Sequence, residues 1–560
     1  MTIRATDDAL DRDPDHRGQG GLGGPDGPGN GPSASRRSTA WLAALTGVVA
    51  TAVFLAVAEV VALLLNGAGS PLVAVGGAAI DLAPRGVKDL MVSLFGTGDK
   101  LALFVLMGVL LAAITAAAGI LERRRPPFGS VVFGIGGVIA LVAVMTRTGS
   151  GTLDGAPTVV GVAVAIMVLR RMSARLGAWR SAELQRQAPG RTVSETTAVR
   201  AVSVERRAFI AWAVAAGAAS LVVGVAARTV DGVRAAAVAA RRAIRLPAPA
   251  VTEAAVPAGA SLDVAGITPY VTPASDFYRI DTALSVPSVD PTTWRLRITG
   301  MVDRELELSF EDLLGMPLEE HMATLSCVSN EVGGDLIGNA LWLGYPIRDL
   351  LARVQPHADA DMVLSTSVDG FTAGTPLDVL QDEGTAALLA VGMNGEPLPE
   401  QHGFPVRMVV PGLFGYVSAT KWVTELRVTR FADAQGYWIP RGWSERGPVK
   451  LESRIDTPAQ GSTVKTGDRV AIAGVAWQPH TGVERVQVRI DDDAWVDAEL
   501  ADSVSADTWR QWVYRWTATS GNHTISVRAV SADGTVQTSV QRPPAPNGAT
   551  GWDSITVTGR

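Results

Sequence analysis

At 560 residues the chain is too long for one typical domain, and with 47% hydrophobic and 19% charged residues it is too apolar for a purely soluble protein. Its apolar content excludes wholesale disorder, and its formal net charge of -6 gives no case for nucleic-acid binding. A single cysteine, Cys327, excludes an intramolecular disulfide, a Cys-rich zinc site and a protein-held iron–sulfur cluster.

The chain begins with a polar tail and continues with apolar runs. Residues 1–39 contain GQGGLGGPDGPGNGPSASRRST, which has too few aliphatic residues to form a core, so we expect a disordered cytoplasmic tail. Residues 40–228 predict a membrane domain of about five helices, because several runs reach the length that crosses a hydrocarbon core. The runs are 41–65, 101–121, 128–146, the shorter 158–169, and 209–227. Core helices of a soluble domain are the alternative, which so many runs in one stretch disfavour.

Arginines predict the orientation of these spans. Arg36 and Arg37 precede the first run, ERRR at 122–125 follows the second, and the loop at 170–207 is densely basic. The positive-inside rule places these segments in the cytoplasm and the chain beyond residue 228 outside, although further arginines at 234–245 count against this. Glu59 in the first run is either a proton or ion site or a hydrogen-bonded structural residue. The runs contain no histidine, so we expect no haem in the bundle.

After the spans the residue pattern changes three times. Residues 229–265 are rich in Ala, Pro and Val and predict an extended linker. Residues 266–448 combine strand patterns such as TWRLRITGMV with the amphipathic helices SFEDLLGMP and YPIRDLLARV, and predict a mixed α/β domain. Residues 449–560 alternate as strands from RVAIAGVAW to TVQTSVQ and predict an immunoglobulin-like β-sandwich. Its tryptophans are expected mainly in the core and interfaces, with a carbohydrate-binding face as the alternative.

Two loops of the α/β domain contain candidate functional residues. Cys327 ends the apolar run TLSC and enters a loop of Ser, Asn and Gly. A lone cysteine is most often a small buried hydrophobe, but a permissive polar loop is also where a thiolate meets a ligand. His402 and Arg407 lie in HGFPVR, where an arginine fork would suit a phosphate and glycine would allow close approach. An ordinary surface salt bridge is the alternative for this arginine.

Taken together, MNGEPLPEQHGFPVRMVVPG and TLSCVSNE resemble the sulfite-oxidase family of molybdenum enzymes. The resemblance covers about residues 263–560, and it implies a molybdopterin-binding domain at 266–448 and a dimerisation domain at 449–560. It implies molybdenum and molybdopterin as cofactors, with Cys327 as the metal ligand. One soft sulfur suffices for such a site, because the pterin dithiolene supplies further ligands.

The resemblance also implies cofactor contacts for seven further residues. His402 and Arg407 would bind the pterin and its phosphate, and Ser418 and Lys421 would continue that contact. The spacing in SATKW is one residue longer than usual, so which hydroxyl meets the phosphate stays open. The remaining contacts are Tyr278, Arg279 and Asp369. Arg279 would also act in catalysis by supplying a positive group to the substrate.

One departure from the family pattern concerns the substrate. Sulfite-oxidising members carry arginines after the cysteine, whereas this chain has Asn330, Glu331 and Val332. A carboxylate beside the metal would repel sulfite. We expect oxygen-atom transfer to or from a small substrate, with sulfite oxidation first. Reduction of S- or N-oxides, including methionine sulfoxide, and a non-catalytic surface binding protein are the alternatives.

Export and partners complete the prediction. The segment ERRAFI at 205–210 precedes the fifth run and resembles a twin-arginine export signal, which serves proteins that fold before crossing. Flanking charge of the positive-inside kind is the alternative. We therefore expect a multi-pass protein of the cytoplasmic membrane with its catalytic domain on the extracytoplasmic side, acting as a homodimer. The chain has no haem-attachment motif, so electrons would pass to or from a separate cytochrome or quinone.

Overall fold

The computed structural model of the chain describes residues 33–65, 70–82, 99–146, 153–187, 207, 211, 214, 241, 243–283 and 286–560. Residues 1–32 of the predicted tail lie outside this set. The predicted fifth span and the arginine pair at 206–207 lie almost wholly outside it. The described residues form an N-terminal helical bundle, a central unit of two sheets, and a C-terminal sandwich. The predicted multi-domain fold class, from membrane helices through mixed α/β to an immunoglobulin-like sandwich, is confirmed.

The bundle consists of apolar helices that expose apolar side chains on their outer surfaces. Its helices are α1 (Ser33–Leu64), α2 (Pro71–Leu82), α3 (Asp99–Arg124), α4 (Phe128–Met145) and α5 (Ala156–Gln187). Among the described residues, three segments are long and apolar enough to cross a membrane: Ala40–Ala62, Ala102–Arg124 and Phe128–Met145. They match the first three predicted runs. More than half of the side chain is exposed at Val109, Ile135 and Val138, as expected for surfaces in contact with lipid.

Two helices of the bundle differ from the prediction. The fourth predicted run lies within α5, which continues through the basic segment to Gln187 and is not one of the three spanning segments. α2 was not predicted, and at 12 residues it is too short to span. The residue before it contacts α1, because the Ser70 hydroxyl donates to Glu59 at 2.6 Å. This contact agrees with the interpretation of Glu59 as a hydrogen-bonded structural residue.

α1 and α3 approach each other closely at a pair of glycines. A Cβ atom on Gly47 would overlap the carbonyl of Thr115, and one on Gly119 would overlap the carbonyl of Ala43. Small residues allow such backbone contact between membrane helices. The bundle therefore depends on these glycines for its packing.

The central unit contains two sheets and four short helices. One sheet has the order β2-β1-β10-β5-β6, with β1 parallel to β10, and the other has the order β3-β4-β7-β8, with β9 paired to β7. The strands are β1 (Arg295–Gly300), β2 (Leu306–Ser309), β3 (Glu319–Ser326), β4 (Ile337–Pro346), β5 (Met362–Ser367), β6 (Thr372–Pro376), β7 (Leu388–Met393), β8 (Glu396–Pro397), β9 (Arg407–Val409) and β10 (Val423–Thr429). The helices are α6 (Phe310–Leu314), α7 (Ile347–Val354), α8 (Leu377–Gln381) and α9 (Gly415–Ser418).

Local sequence explains the two helices that were predicted in this unit. α6 starts at a capping box, in which Ser309 and Asp312 each bind the other's backbone N–H. α7 buries Ile347, Leu350 and Val354, which the helical period places on one face. Both helices pack their apolar faces against the core of the central unit.

The predicted linker is extended, but it packs along the central unit. Ala250 N donates to Leu318 O at 2.7 Å, and Glu320 N donates to Val251 O at 2.9 Å, so the segment runs beside the start of β3. The Glu253 carboxylate accepts from Met322 N at 2.8 Å. Described residues of the linker are thus attached to the strand that leads to Cys327.

The C-terminal sandwich consists of two sheets with the orders β11-β13-β17-β16 and β12-β19-β18-β14-β15. Its strands are β11 (Glu452–Thr457), β12 (Thr463–Val464), β13 (Arg469–Trp477), β14 (Val483–Ile490), β15 (Val496–Asp497), β16 (Glu499–Leu500), β17 (Arg510–Thr517), β18 (Gly521–Ser531) and β19 (Asp553–Gly559). The prediction of a strand at TVQTSVQ is wrong. Those residues form only an isolated bridge through Val536, and the last strand lies after three prolines, in Asp553–Gly559.

The sandwich and the central unit share a buried seam. Met322 and Ile337 of the central unit pack with Trp477 and Trp509 of the sandwich. Thr324 of β3 forms two hydrogen bonds across the seam: its N–H donates to Asp507 O at 2.9 Å, and its hydroxyl accepts from Trp509 N at 2.8 Å. The sandwich therefore supports β3 directly. Four of its six tryptophans are buried, as the core interpretation predicts.

Candidate active site

A cavity with about 870 Å³ of empty space opens between the two sheets of the central unit. Its walls come from segments that are distant in sequence: the chain before β1, the loop after β3, the loop between β5 and β6, and the segments flanking β9 and α9. Six of the predicted site residues line or lie within it: Tyr278, Cys327, Asp369, His402, Arg407 and Lys421.

Cys327 follows the last residue of β3 and is buried, with 8% of its surface exposed. A tight turn fixes its backbone, because its N–H donates to Leu336 O at 2.9 Å and its carbonyl accepts from Asn330 N at 3.0 Å. Burial raises the pKa of the thiol, while hydrogen bonds from Ser329 and the charge of Lys421 oppose that rise. Cys327 is thus not enclosed by aliphatic side chains alone, since it forms part of the cavity wall.

Arg407 and His402 form a polar wall with one buried cation. Arg407 is 5% exposed, and its guanidinium donates to the carbonyls of His402 and Met408 at 3.2 and 3.3 Å. Burial lowers its pKa to about 10. No carboxylate of the described residues forms an ion pair with it. Because a buried cation without a counter-ion is costly, this wall favours an anionic ligand.

His402 is a neutral donor in this wall. Its Nε2 lies 2.7 Å from Ala274 O, and burial together with the charges of Arg407 and Lys421 lowers its pKa to about 4 although the Ala274 hydrogen bond opposes this. Gly403 follows with φ 113°, and a Cβ atom there would lie 2.9 Å from Arg407 Cβ and 3.2 Å from Lys421 Cβ. Glycine is therefore required at 403 by both the backbone and the space.

Lys421 belongs to an ion-pair cluster at the cavity edge. Its Nζ donates to Asp281 Oδ2 at 2.8 Å and to Gln401 O at 3.2 Å. Arg279 Nε donates to the same Asp281 oxygen at 2.8 Å. Burial lowers the pKa of Lys421 to about 8, against the opposing effect of Asp281. Asp281, with 4% of its side chain exposed, was not predicted as a site residue.

The remaining predicted residues occupy different positions. Burial raises the pKa of Tyr278, which lines the cavity and stacks on Phe277 at 5.2 Å. Asp369 lines the cavity and accepts from Thr282 Oγ1 at 3.3 Å. Arg279 and Ser418 are not part of the wall. The Ser418 hydroxyl donates to the carbonyls of Leu413 and Phe414. In this structure it therefore binds the backbone just before α9.

An aromatic wall also lines the cavity and was missed by sequence reasoning. Trp438 and Trp443 lie 6.3 Å apart between ring centroids, and Tyr416 lies 5.9 Å from Trp443. All three line the cavity together with Phe371. The segment that carries both tryptophans has no helix or strand pattern, so only the presence of two tryptophans in GYWIPRGW could have pointed to it.

Glu331 lies outside the cavity wall and is exposed to solvent. The turn after Cys327 directs Asn330 inward instead, where its side-chain oxygen accepts from Leu336 N at 2.9 Å. The expectation that Glu331 would stand beside the metal and repel an anion is therefore wrong. The carboxylates of the wall are Asp281 and Asp369.

Comparison with known proteins links this cavity to a family. Residues 283–438 match the model for an oxidoreductase molybdopterin binding domain, and residues 452–527 match that for a bacterial Ig domain. Human mitochondrial sulfite oxidase is 30% identical over 310 residues, which cover 47% of this chain and 56% of the human protein. The uncharacterized oxidoreductase YuiH of Bacillus subtilis is 35% identical over 158 residues, 28% of this chain and 76% of YuiH. The chain spans about half the length of the mammalian relatives it matches.

Among solved structures, the sulfane dehydrogenase SoxCD from Paracoccus pantotrophus aligns with 51% of this chain and 81% of its own. The TM-score is 0.45 and the sequence identity is 22%.

The residues of the cavity fit the cofactor that the matched domain binds. The wall offers one sulfur, and it holds a buried cation with no carboxylate partner in the described part of the chain. Ser367 Oγ, also in the wall, is buried and has no hydrogen-bond partner among the residues that the structure describes. An orphaned buried hydroxyl of this kind is expected where a polar ligand completes the site. With the matched domain and relatives, these features imply Mo-molybdopterin as the cofactor, and the chain belongs to the sulfite oxidase family of molybdopterin-dependent oxidoreductases.

Proposed function

We propose that this protein transfers an oxygen atom at a molybdenum centre held by Cys327, and that its substrate is sulfite. The reaction consumes sulfite and water and yields sulfate, two protons and two electrons. Molybdenum in its pterin ligand supplies a two-electron redox centre for such a transfer. The observation that carries the proposal is the position of the Cys327 sulfur in a cavity that also contains a buried cation.

The protein groups would bind and orient the cofactor. Arg407 and Lys421 would bind its phosphate, since both are cationic groups in the wall and an arginine fork suits phosphate oxygens. His402 would accept a hydrogen bond at Nδ1 as a neutral ring, because its Nε2–H already donates to Ala274 O and its pKa is lowered. Tyr278, Asp369 and, through its hydroxyl, Ser418 are proposed as further contacts. Arg279 would act from the cavity edge through Asp281, which it shares with Lys421.

Electrostatics of the wall support an anionic substrate. The exposed position of Glu331 removes the repulsion expected from the sequence. Asp281 is neutralised by Lys421 and Arg279, which both lie 2.8 Å from its Oδ2 atom. The names of the mammalian relatives, sulfite oxidase, agree with this substrate. The electrons would pass to a separate acceptor, a cytochrome or quinone, and the catalytic domain would lie outside the cytoplasmic membrane.

Replacing the sulfur atom tests the metal site. In Cys327→Ser we expect molybdenum, measured by mass spectrometry of the purified protein, to fall below a tenth of the wild-type content, because a neutral hydroxyl is a poor ligand for this metal. Sulfite-dependent reduction of an artificial electron acceptor should disappear with it.

Glu331→Gln is the matched control, because it changes a polar side chain of the same loop outside the cavity wall. It should retain wild-type molybdenum and sulfite turnover. Full metal content and turnover in Cys327→Ser would overturn the assignment of the metal ligand. Full metal content with no sulfite turnover in the wild type would leave the metal site intact and reject sulfite.

The aromatic wall favours a second candidate, an organic S- or N-oxide that is reduced with two electrons and two protons to the parent compound and water. Trp438, Trp443 and Tyr416 would cover an apolar substrate group, which a small dianion lacks. This candidate uses the same metal site in the opposite direction.

Trp443→Leu separates the two candidates. If an organic oxide is the substrate, losing the indole should raise KM for methionine sulfoxide roughly ten-fold, because about 1–2 kcal/mol of aromatic contact is lost. KM for sulfite should stay within about two-fold. Steady-state assays with both substrates decide the matter, and Trp495→Leu, in the sandwich, is the control. A sulfite KM that rises as much as that for the sulfoxide would reject a selective role for this wall.

A further inference from the structure

A second cavity lies in the helical bundle, between the end of α3 and the adjacent part of α5. It contains about 1130 Å³ of empty space and is bounded by the end of α3, the turn before α4, and one face of α5. We call it the bundle cavity. Its lining residues are Glu122, Arg123, Pro126, Pro127, Arg170, Ser173, Ala174, Gly177, Arg180 and Ser181.

One face of α5 forms the floor of the bundle cavity. The lining residues of α5 recur every three or four positions, as expected for residues on a single helix face. Arg170 and Arg180 stand at the two ends, and the residues between them are small. A Cβ atom on Gly177 would meet nothing within 4 Å, so the space above it is open.

The lining of the bundle cavity contains more arginines than carboxylates. Three arginines face one carboxylate, and that carboxylate is largely occupied by α4. Glu122 is 4% exposed, and its oxygens accept from Ser130 N at 2.7 Å and from Ser130 Oγ at 3.0 Å, at the start of α4. Its distance to Arg170 Nε is 3.9 Å. Arg170 itself stays 59% exposed, so its guanidinium remains accessible to a ligand.

Two polar atoms of the lining residues have no hydrogen-bond partner in the described part of the chain. They are Arg123 Nη1 and Ser173 Oγ. Buried polar atoms without partners are uncommon and often mark a missing ligand. A cation and a hydroxyl together are donors suited to the oxygens of a phosphate.

The position of the bundle cavity indicates the source of such a ligand. The candidate membrane span Ala102–Arg124 ends at the cavity, which places the arginines at the level of lipid headgroups. Basic pockets between membrane helices at this level bind anionic headgroups. We propose that the bundle cavity binds the phosphate of an anionic ligand, and that a phospholipid headgroup supplies it.

Native mass spectrometry of the full-length protein in detergent tests the proposal with phosphatidylglycerol as the probe. We expect one tightly bound phosphatidylglycerol on the wild type and none of phosphatidylcholine. The double variant Arg170→Gln/Arg180→Gln should raise the apparent Kd at least roughly ten-fold, since each arginine near a membrane surface is worth about five-fold in affinity.

Two further variants separate a site from general surface charge. Gly177→Leu fills the open space and keeps every arginine, and it should also lose the bound lipid; leucine favours a helix more than glycine, so folding is retained. Arg171→Gln removes one positive charge next to Arg170 but off the lining face, and should bind like the wild type. Equal loss in Arg171→Gln and the double variant, or lipid retention in Gly177→Leu, would overturn the proposal.

Inorganic phosphate distinguishes the two sources of the ligand. If it raises the thermal midpoint of the wild type in phosphatidylcholine, but not that of Gly177→Leu, and no phosphatidylglycerol is retained, the phosphate site stands and its ligand is soluble. If neither probe binds the wild type, the proposal is wrong. Molybdenum content is measured throughout as a check on the fold of the central unit.

Discussion

Asp281 is the residue on which the cationic edge of the cavity depends. It lies two positions after Arg279 but 140 positions before Lys421, and its carboxylate contacts both. Only the tertiary fold brings Asp281 and Lys421 together. Sequence reasoning therefore identified the cations from their motifs and missed the anion that holds them.

Asp281→Asn should weaken cofactor retention. Loss of the carboxylate removes the counter-ion that keeps Lys421 charged and in place, and a charge-assisted hydrogen bond of this kind contributes about 1.5–3 kcal/mol. We expect roughly ten-fold less pterin after gel filtration, measured by the fluorescence of the oxidised pterin released from the protein. Asp276→Asn, an exposed carboxylate of the same segment, is the control. Stronger retention in Asp281→Asn would instead show that the carboxylate competes with the cofactor for Lys421.

The distribution of the other site residues shows what motifs can predict. Six of the residues taken from the family motifs, Cys327 among them, line one cavity, because a motif preserves a local loop and its position in the fold. The wall formed by Trp438 and Trp443 belongs to no such motif. Its position results from the path of the chain after β10, which no local pattern specifies.

At the scale of elements, β3 joins the cavity at Cys327 to the linker and the sandwich. His321 lies on this strand, and its Nε2 is 3.0 Å from Asp507 of the sandwich while its Nδ1 is 3.3 Å from Glu253 of the linker. His480 Nδ1 lies 2.9 Å from the other Asp507 oxygen. Burial lowers the pKa of His321, but the two carboxylates outweigh burial and raise it to about 9.

Stability should therefore fall in alkaline solution. The folded-state pKa of His321 lies above the unfolded value of about 6.5, so its contribution is complete below pH 6.5 and is lost as pH rises through about 9. This contribution to the free energy of unfolding is on the order of 3 kcal/mol. We expect the thermal midpoint of the detergent-solubilised protein to drop over this range and the drop to be smaller in His321→Gln. His357→Gln, at an exposed histidine, should keep the wild-type pH profile. An unchanged profile in His321→Gln would assign the effect to other groups.

Most elements could be predicted where their pattern is local. RVAIAGVAW is β13 to the residue, and YPIRDLLARV contains α7, because alternation and helical period are properties of the segment itself. α2 was missed because a short apolar helix has no distinguishing period. The last predicted strand failed because alternation alone does not supply a pairing partner.

At the scale of the whole molecule, we predict that export of the folded domain depends on the two arginines at 206 and 207. Arg206→Lys with Arg207→Lys keeps the charge, so the positive-inside effect is unchanged while a twin-arginine signal is lost. We expect protease added to spheroplasts of an expressing bacterium to degrade the sandwich in the wild type and to spare it in the variant. Arg36→Lys with Arg37→Lys is the control and should behave like the wild type. Equal degradation in both variants would assign these arginines to topology alone.

The seam between β3 and the sandwich has a consequence for any attempt to study either half alone. A chain ending near residue 448 would leave Met322 and Ile337 uncovered, and the detached C-terminal half would expose Trp477 and Trp509. Each fragment would then expose an apolar surface that favours aggregation in water. The central unit and the sandwich, although separate in sequence, therefore have to be purified, crystallised and mutated together as one polypeptide.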